Sequence, residues 1–230
     1  MLKVITKREY FDYLNTNKSD RKFYTLKNVQ DGFINKYFKP NIKNKIIGEI
    51  GGGHSRTLER LGVKNTCFNI EKFEGKGNGP EKIEKIKNYE LINTYVGEFS
   101  GLLKRNYFDY LYSISVLEHV DDSYIENFFK ESLSILKTNG ISIHAFDAYL
   151  SSSKKKNSTL KDRLNLILDK SKMAGLTLIE SPKVDIENLR FKSHYASNSD
   201  IKLWQWNKSN SSIAKLTKQN VSFTLIQTKK

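Results

Sequence analysis

Residues 46–58 read I-I-G-E-I-G-G-G-H-S-R-T-L, and no other stretch restricts the fold as tightly. A short apolar run carries one acid, Glu49, and breaks at Gly51, Gly52 and Gly53. A helical pattern then begins at about Ser55. The glycines let the backbone turn sharply and come close to a ligand. The helix that follows offers free N–H groups at its first turn. A strand that passes through a tight glycine turn into a helix opens a nucleotide-binding type of α/β fold.

The rest of the chain alternates in the way such a fold requires. Strands are expected at residues 45–50, 66–70, 91–96, 108–113, 141–146, 176–180 and 221–228. Helices are expected at 56–61, 123–137 and 160–174, with at best a short one at 83–87. Ser123 and Glu126 have the spacing of a capping box, and Gly175 sits where a helix C-cap belongs. Before the first of these strands, residues 7–39 carry apolar stripes at helical spacing (Tyr10, Phe11, Tyr13 and Leu14; Val29, Phe33, Ile34, Tyr37 and Phe38) and stop at Pro40. These elements divide the chain into an N-terminal helical cap, 1–43, and one α/β domain, 44–230. An irregular polar and aromatic insertion falls at about 181–220.

Several motifs point the same way. The dinucleotide fingerprint G-x-G-x-x-G fails here, because a third glycine counted from Gly51 would be Arg56. Glu49, Gly51, Gly53 and Ser55 instead give E-x-G-x-G-x-S. Glu71 ends the second strand about twenty residues later, and V-G-E-F at 96–99 follows the third. F-D-Y-L-Y-S-I-S-V-L-E-H-V at 108–120 spans the fourth, and L-K-T-N-G at 136–140 precedes the fifth. Together, over about residues 44–145, they resemble class I S-adenosylmethionine (SAM) methyltransferases. The resemblance implies a Rossmann-like, seven-stranded, mostly parallel sheet with an antiparallel last strand and helices on both faces. It also implies SAM as methyl donor. Glu49, Gly51, Gly52 and Gly53 would hold the cofactor from the glycine turn, Glu71 its ribose, and Glu98 and Phe99 its adenine. The backbone near Ser113 would hold its ammonium. In the 136–140 turn the family's Pro and first Gly are Thr138 and Asn139, and Asn tolerates the left-handed conformation needed there.

Methyl transfer from a sulfonium is largely a matter of positioning. An oxygen or nitrogen acceptor can still require a base. Three groups are candidates. His119 follows the fourth strand. His144 and Asp147 close the fifth, where Asp147 would orient the imidazole or bind acceptor hydroxyls. His194, Tyr195, Ser197, Asn198 and Asp200 lie with Trp204 and Trp206 in the insertion. The four histidines show no paired metal-ligand spacing, and no metal site is expected.

The formal charge is +14, with 39 basic residues. Only 7 of these are Arg and 32 are Lys, scattered among many Asn. Bidentate contacts to phosphate and base edges favour Arg, so action on nucleic acid is not expected. The one basic cluster, Lys154 to Lys156, lies in a Ser-rich loop. No apolar run is long enough to cross a membrane. Cys67 is the single cysteine, and residues 1–12 lack the apolar core of a signal peptide, so a cytoplasmic protein is expected. The expected function is SAM-dependent methylation of a small polar acceptor, such as a hydroxyl of a sugar or glycan precursor. An RNA methyltransferase and a non-catalytic partner subunit with the same fold are the alternatives.

Overall fold

A computed structural model describes residues 1–16, 26–38, 42–75, 79–83, 86–151, 154–197 and 218–230. In chain order the elements are β1 (Leu2–Val4), α1 (Lys7–Thr16), α2 (Leu26–Tyr37), β2 (Ile46–Ile50), α3 (Arg56–Leu61), β3 (Thr66–Ile70) and β4 (Glu90–Ile92). Then come β5 (Phe108–Ile114), α4 (Ile125–Ile135), β6 (Leu136–Ser151), α5 (Ser158–Met173), β7 (Leu176–Leu178) and β8 (Lys218–Lys229).

The strands form one sheet in the order β1-β8-β6-β5-β2-β3-β4, with β7 also on β8. β6, β5, β2, β3 and β4 run parallel, and β8 returns antiparallel to β6. The expected sheet is present with one strand more than the seven foreseen. Leu2–Val4 pairs antiparallel with Val4 opposite Phe223 and Leu2 opposite Leu225. The boundary expected at residue 43 therefore does not separate cap from sheet. Three residues are too short for a two-residue periodicity to register.

Helices cover both faces. α4 and α5 pack over Ile50, Phe68, Leu111, Phe146 and Phe223, whereas α2 and α3 pack over Ile47, Cys67, Tyr112, Ile143 and Ile226. α4 shows why it docks: Ile125, Phe128, Phe129, Ser132 and Ile135 recur at three- and four-residue spacings and are all buried. Its start differs from expectation. Tyr124 is the N-cap and makes no side-chain capping bond; Ser123 falls one residue too early for a capping box, and Glu126 pairs with Lys130 and Lys170, at 2.6 and 2.7 Å. The described residues of the 7–39 arm form two helices, whose stripes are buried at Tyr10, Tyr13, Val29, Ile34 and Phe38, whereas Phe11 is exposed.

β6 begins five residues earlier than expected. The L-K-T-N-G turn is absorbed as a bulge, with the register to β5 jumping from Phe108–Leu136 to Tyr110–Ile141. Asn139 takes φ 61° there, the left-handed conformation foreseen for it. Residues 181–197 run past β1, tied by Lys183 N–H to Leu2 O and Ala196 N–H to Ile5 O, both 2.8 Å. Trp204, Trp206, Asn198 and Asp200 lie outside the described residues. Among the described residues no helix is long and apolar enough to cross a membrane.

Candidate active site

Strand order reverses between β2 and β5. In an open α/β sheet such a switch point leaves a crevice at the strands' carboxyl ends. A cavity of about 1120 Å³ opens there. Its wall includes Glu49, Gly51, Gly52, Gly53, Glu71, Val96, Glu98, Ser115, Glu118, His119 and Asp147. The sequence motifs, scattered over a hundred residues, thus meet at one edge of the sheet.

The glycine turn is held from below by a residue that the motifs do not mark. Asn69 Oδ1 accepts from Gly52 N–H (3.1 Å), and Asn69 Nδ2 donates to Gly53 O (2.7 Å). Asn69 is the one amide in the buried strand T-C-F-N-I, and that contrast was the available signal. Gly51 adopts φ 64°, a conformation that penalises a side chain. A Cβ on Gly52 would lie 2.7 Å from both Asn69 Oδ1 and the Glu49 carboxyl carbon. Glu49 is buried, and Tyr112 Oη donates to its Oε2 at 2.7 Å. Burial pushes the Glu49 carboxyl up to about 7. Ser55 caps α3 by accepting from Leu58 N–H at 3.0 Å.

Glu71 is buried at the cavity wall with Oε1 fixed by Lys72 N–H (2.9 Å) and Phe73 N–H (3.1 Å). Glu98 lines the same wall and pairs with Lys72 at 2.8 Å, which holds its carboxyl below the usual range. Phe99 does not fit its expected role. Its ring is 52% exposed and away from the cavity, and its N–H is already given to Glu131 Oε2 at 3.2 Å. Val96, buried two residues before Glu98, lines the cavity instead. The buried Glu131 of α4, which also accepts from Gly97 N–H, shapes this turn from a distant part of the sequence.

Ser113 and His144 lie beneath the cavity rather than in it. β5 runs on to Ile114, and the residues at the rim are Ile114, Ser115 and Val116. His144 has no exposure. Ser113 Oγ sits 2.8 Å from its Nδ1 and Ser142 Oγ 2.7 Å from its Nε2, and Phe128 and Phe129 pack on its ring. Burial disfavours the imidazolium and pushes its pKa down to about 3. A neutral, enclosed imidazole with both nitrogens engaged cannot take a proton from an acceptor in the cavity. Asp147 cannot orient it either, because residues three apart on a strand face opposite sides of the sheet.

Asp147 does line the cavity, within β6 rather than beyond it. Gln30 of α2, fully buried, donates to its Oδ1 at 2.6 Å and accepts from Ser115 Oγ at 2.8 Å. Asp147 N–H donates to Glu118 Oε1 at 3.2 Å. Burial raises Asp147 to about 7. Burial and the Asp147 charge raise Glu118 to about 8. Glu118 stands in the S-V-L-E-H-V segment beside His119, and the histidine drew the expectation. His119 is exposed at the cavity rim. His194 is exposed too, and Tyr195 and Ser197 are buried along the β8 edge, outside the cavity wall. Of the basic loop, Lys155 is exposed on a 3-10 turn, Lys154–Asn157. Among the described residues no three His, Cys, Asp or Glu side chains gather as a metal site.

No protein-family model matches the sequence, and no curated protein matches it significantly. Solved structures do match. Phosphoethanolamine N-methyltransferase 2 of Haemonchus contortus, in complex with phosphomonomethylethanolamine and S-adenosylhomocysteine, superposes with a TM-score of 0.56 at 14% identity. The match covers 96% of this chain and 60% of that one, so the chain spans about three fifths of the enzyme's length. A TehB-like SAM-dependent methyltransferase of Corynebacterium glutamicum matches at 0.51 and 12% identity, over 97% of both chains. Geranyl diphosphate C-methyltransferase of Streptomyces coelicolor matches at 0.53 and 8% identity, over 87% of this chain and 78% of that one. The chain has the class I SAM-dependent methyltransferase fold.

Proposed function

We propose that the protein is a SAM-dependent methyltransferase acting on a small polar acceptor. The observation that carries this reading is the convergence of Glu49, the Gly51–Gly53 turn, Glu71 and Glu98 on one cavity at the switch point of the sheet. The residues present fit the cofactor. Gly52 leaves the backbone bare where a side chain would collide with Asn69 and Glu49. Glu71 presents a fixed carboxylate to ribose hydroxyls, and Val96 with Glu98 offers an apolar surface and an acceptor to adenine. When bound, SAM supplies a methyl group already activated on a sulfonium. The protein's own residues orient the acceptor against it and exclude water. Asp147, held by Gln30, and Glu118 are the groups placed to bind the acceptor and to receive a proton from it, and His119 stands at the rim.

The acceptor group favoured by the sequence is a hydroxyl of a sugar or glycan precursor. The fold alone does not choose it: the neighbours are named for acceptors as different as phosphoethanolamine and geranyl diphosphate. Calorimetric titration with S-adenosylhomocysteine, with NAD as control, tests the cofactor assignment. Micromolar binding of the first alone is expected, and binding of neither would favour a non-catalytic subunit. Labelled SAM with a panel of nucleotide sugars and glycans then tests the acceptor. Transfer only to RNA or protein would overturn the sugar reading.

A further inference from the structure

With Glu49, Glu71 and Glu98 assigned to the cofactor, the rest of the cavity wall contrasts with the molecule around it. The chain carries a formal +14. The remaining charged side chains of the described wall are Asp31, Glu118, Asp121 and Asp147 against a single lysine, Lys27. Four acidic side chains against one lysine disfavour an anionic acceptor here.

Two oxygens in this wall also lack donors. Glu118 Oε2 and Asn220 Oδ1 are closed to solvent and have no hydrogen-bond partner among the described residues. Asn220 is only 9% exposed and sits on β8 opposite Tyr149 of β6. Buried acceptors are normally matched with donors, and leaving them unmatched is costly. Both residues line the cavity, so the natural source of donors is a ligand in it. The other Glu118 oxygen accepts Asp147 N–H, and Gln30 pins the Asp147 carboxyl in place. Neither acid can swing away from the other. Their raised proton affinities, Glu118 to about 8 and Asp147 to about 7, follow from burial, which the charge of Lys27 offsets only in part. In the same wall α2 presents Lys27 and Asp31, and the segment after β5 presents His119, Asp121 and Tyr124 beside Glu118.

We propose that the acceptor is a cationic amino sugar or a similar aminated polyol, anchored by its ammonium at Glu118 and Asp147, with Asn220 accepting from a neighbouring hydroxyl. This rests on the methyltransferase reading and narrows its acceptor. The pair acts here by binding, and an ammonium satisfies both carboxyls where a phosphate or carboxylate would be repelled.

The test is calorimetry on protein saturated with S-adenosylhomocysteine, titrated with D-glucosamine, D-glucose and glucose 6-phosphate. Wild type is compared with Glu118→Gln and Asp147→Asn. Glucosamine is expected to bind about tenfold or more tightly than glucose, the scale of a charged hydrogen bond, with no binding of glucose 6-phosphate. Each variant should abolish the preference while S-adenosylhomocysteine affinity stays within about twofold. Equal binding of glucosamine and glucose, absence of glucosamine binding, or a preference surviving in both variants would overturn the proposal. A parallel loss of S-adenosylhomocysteine affinity in the variants would assign the pair to the cofactor's own ammonium and overturn it too. Failure of wild type to bind S-adenosylhomocysteine would sink the cofactor reading alone, since glucosamine and glucose can still be compared on the free protein.

Discussion

Replacing Glu118 by Gln should stabilise the ligand-free protein, and more so as the pH rises. A glutamate ordinarily titrates near 4.5, and this one is pushed up to about 8 by burial and by the charge of Asp147. Between those values the unfolded chain ionises Glu118 while the folded chain keeps it protonated. The folded state therefore binds more protons, and its stability falls as pH climbs through that window and levels off above it. At the usual conversion between proton affinity and free energy, the ionised folded form is disfavoured by up to about 5 kcal/mol. The cavity is open to water and Lys27 stands across it, so about 2 kcal/mol is the expected size once screening is included. Glutamine keeps the shape and an oxygen for Asp147 N–H but carries no charge. Urea unfolding at pH 5, 7 and 9 reads the effect directly from the midpoint at constant slope. The variant should exceed wild type by about 2 kcal/mol at pH 9 and by less at pH 5. A difference that is flat with pH, or a variant less stable at pH 9, would show that Glu118 is not held desolvated beside Asp147.

Other perturbations separate the cofactor half of the cavity from the core beneath it. Glu71→Ala should weaken S-adenosylhomocysteine binding by roughly 1–3 kcal/mol with the fold intact; unchanged affinity by calorimetry would mean that the ribose lies elsewhere. Asn69→Ala removes both bonds under the glycine turn, so it should lower affinity about tenfold and stability by about 1–2 kcal/mol. Loss of stability without loss of affinity would refute the support role. His144→Ala should destabilise by roughly 2–4 kcal/mol, through a buried cavity and two serine hydroxyls without partners, and leave cofactor affinity unchanged in the folded protein at low temperature. A variant as stable as wild type would undo the view of His144 as a core residue.

The cavity wall around Glu49, the glycine turn, Glu71 and Glu98 was legible because its constraints are local. A glycine turn, a strand-end acid and a four-residue turn each fit within one window of sequence. Long amphipathic elements such as α4 and α5 were legible for the same reason. What escaped notice depends on partners far apart in the chain. Gln30 reaches Asp147 across 117 residues, and Glu131 reaches Phe99 across 32. His144 looked exposed because it was placed near a strand end. β6 continues seven residues past it to Ser151, which moves His144 into the middle of the sheet under two phenylalanines. Ser142 and His144 share one face of β6 and Ile143 lies on the other. The sense of that face, toward α4 and not toward the cavity, emerges only once the layers are assembled.

The pairing of β1 with β8 has a consequence for how the cavity comes into being. Leu2 and Leu225 are 223 residues apart in sequence, and contacts of such separation form late because the loop they close is long. β1 leads into α1 and α2, and α2 carries Gln30, Lys27 and Asp31. The α2 side of the cavity is thus moored to a strand whose long-range pairing can follow the glycine turn, β3 and β5. During folding the glycine-turn side of the cavity can precede the α2 side. Proteolysis or hydrogen exchange should find the α1–α2 arm opening as a unit while β2, β3 and β5 stay protected.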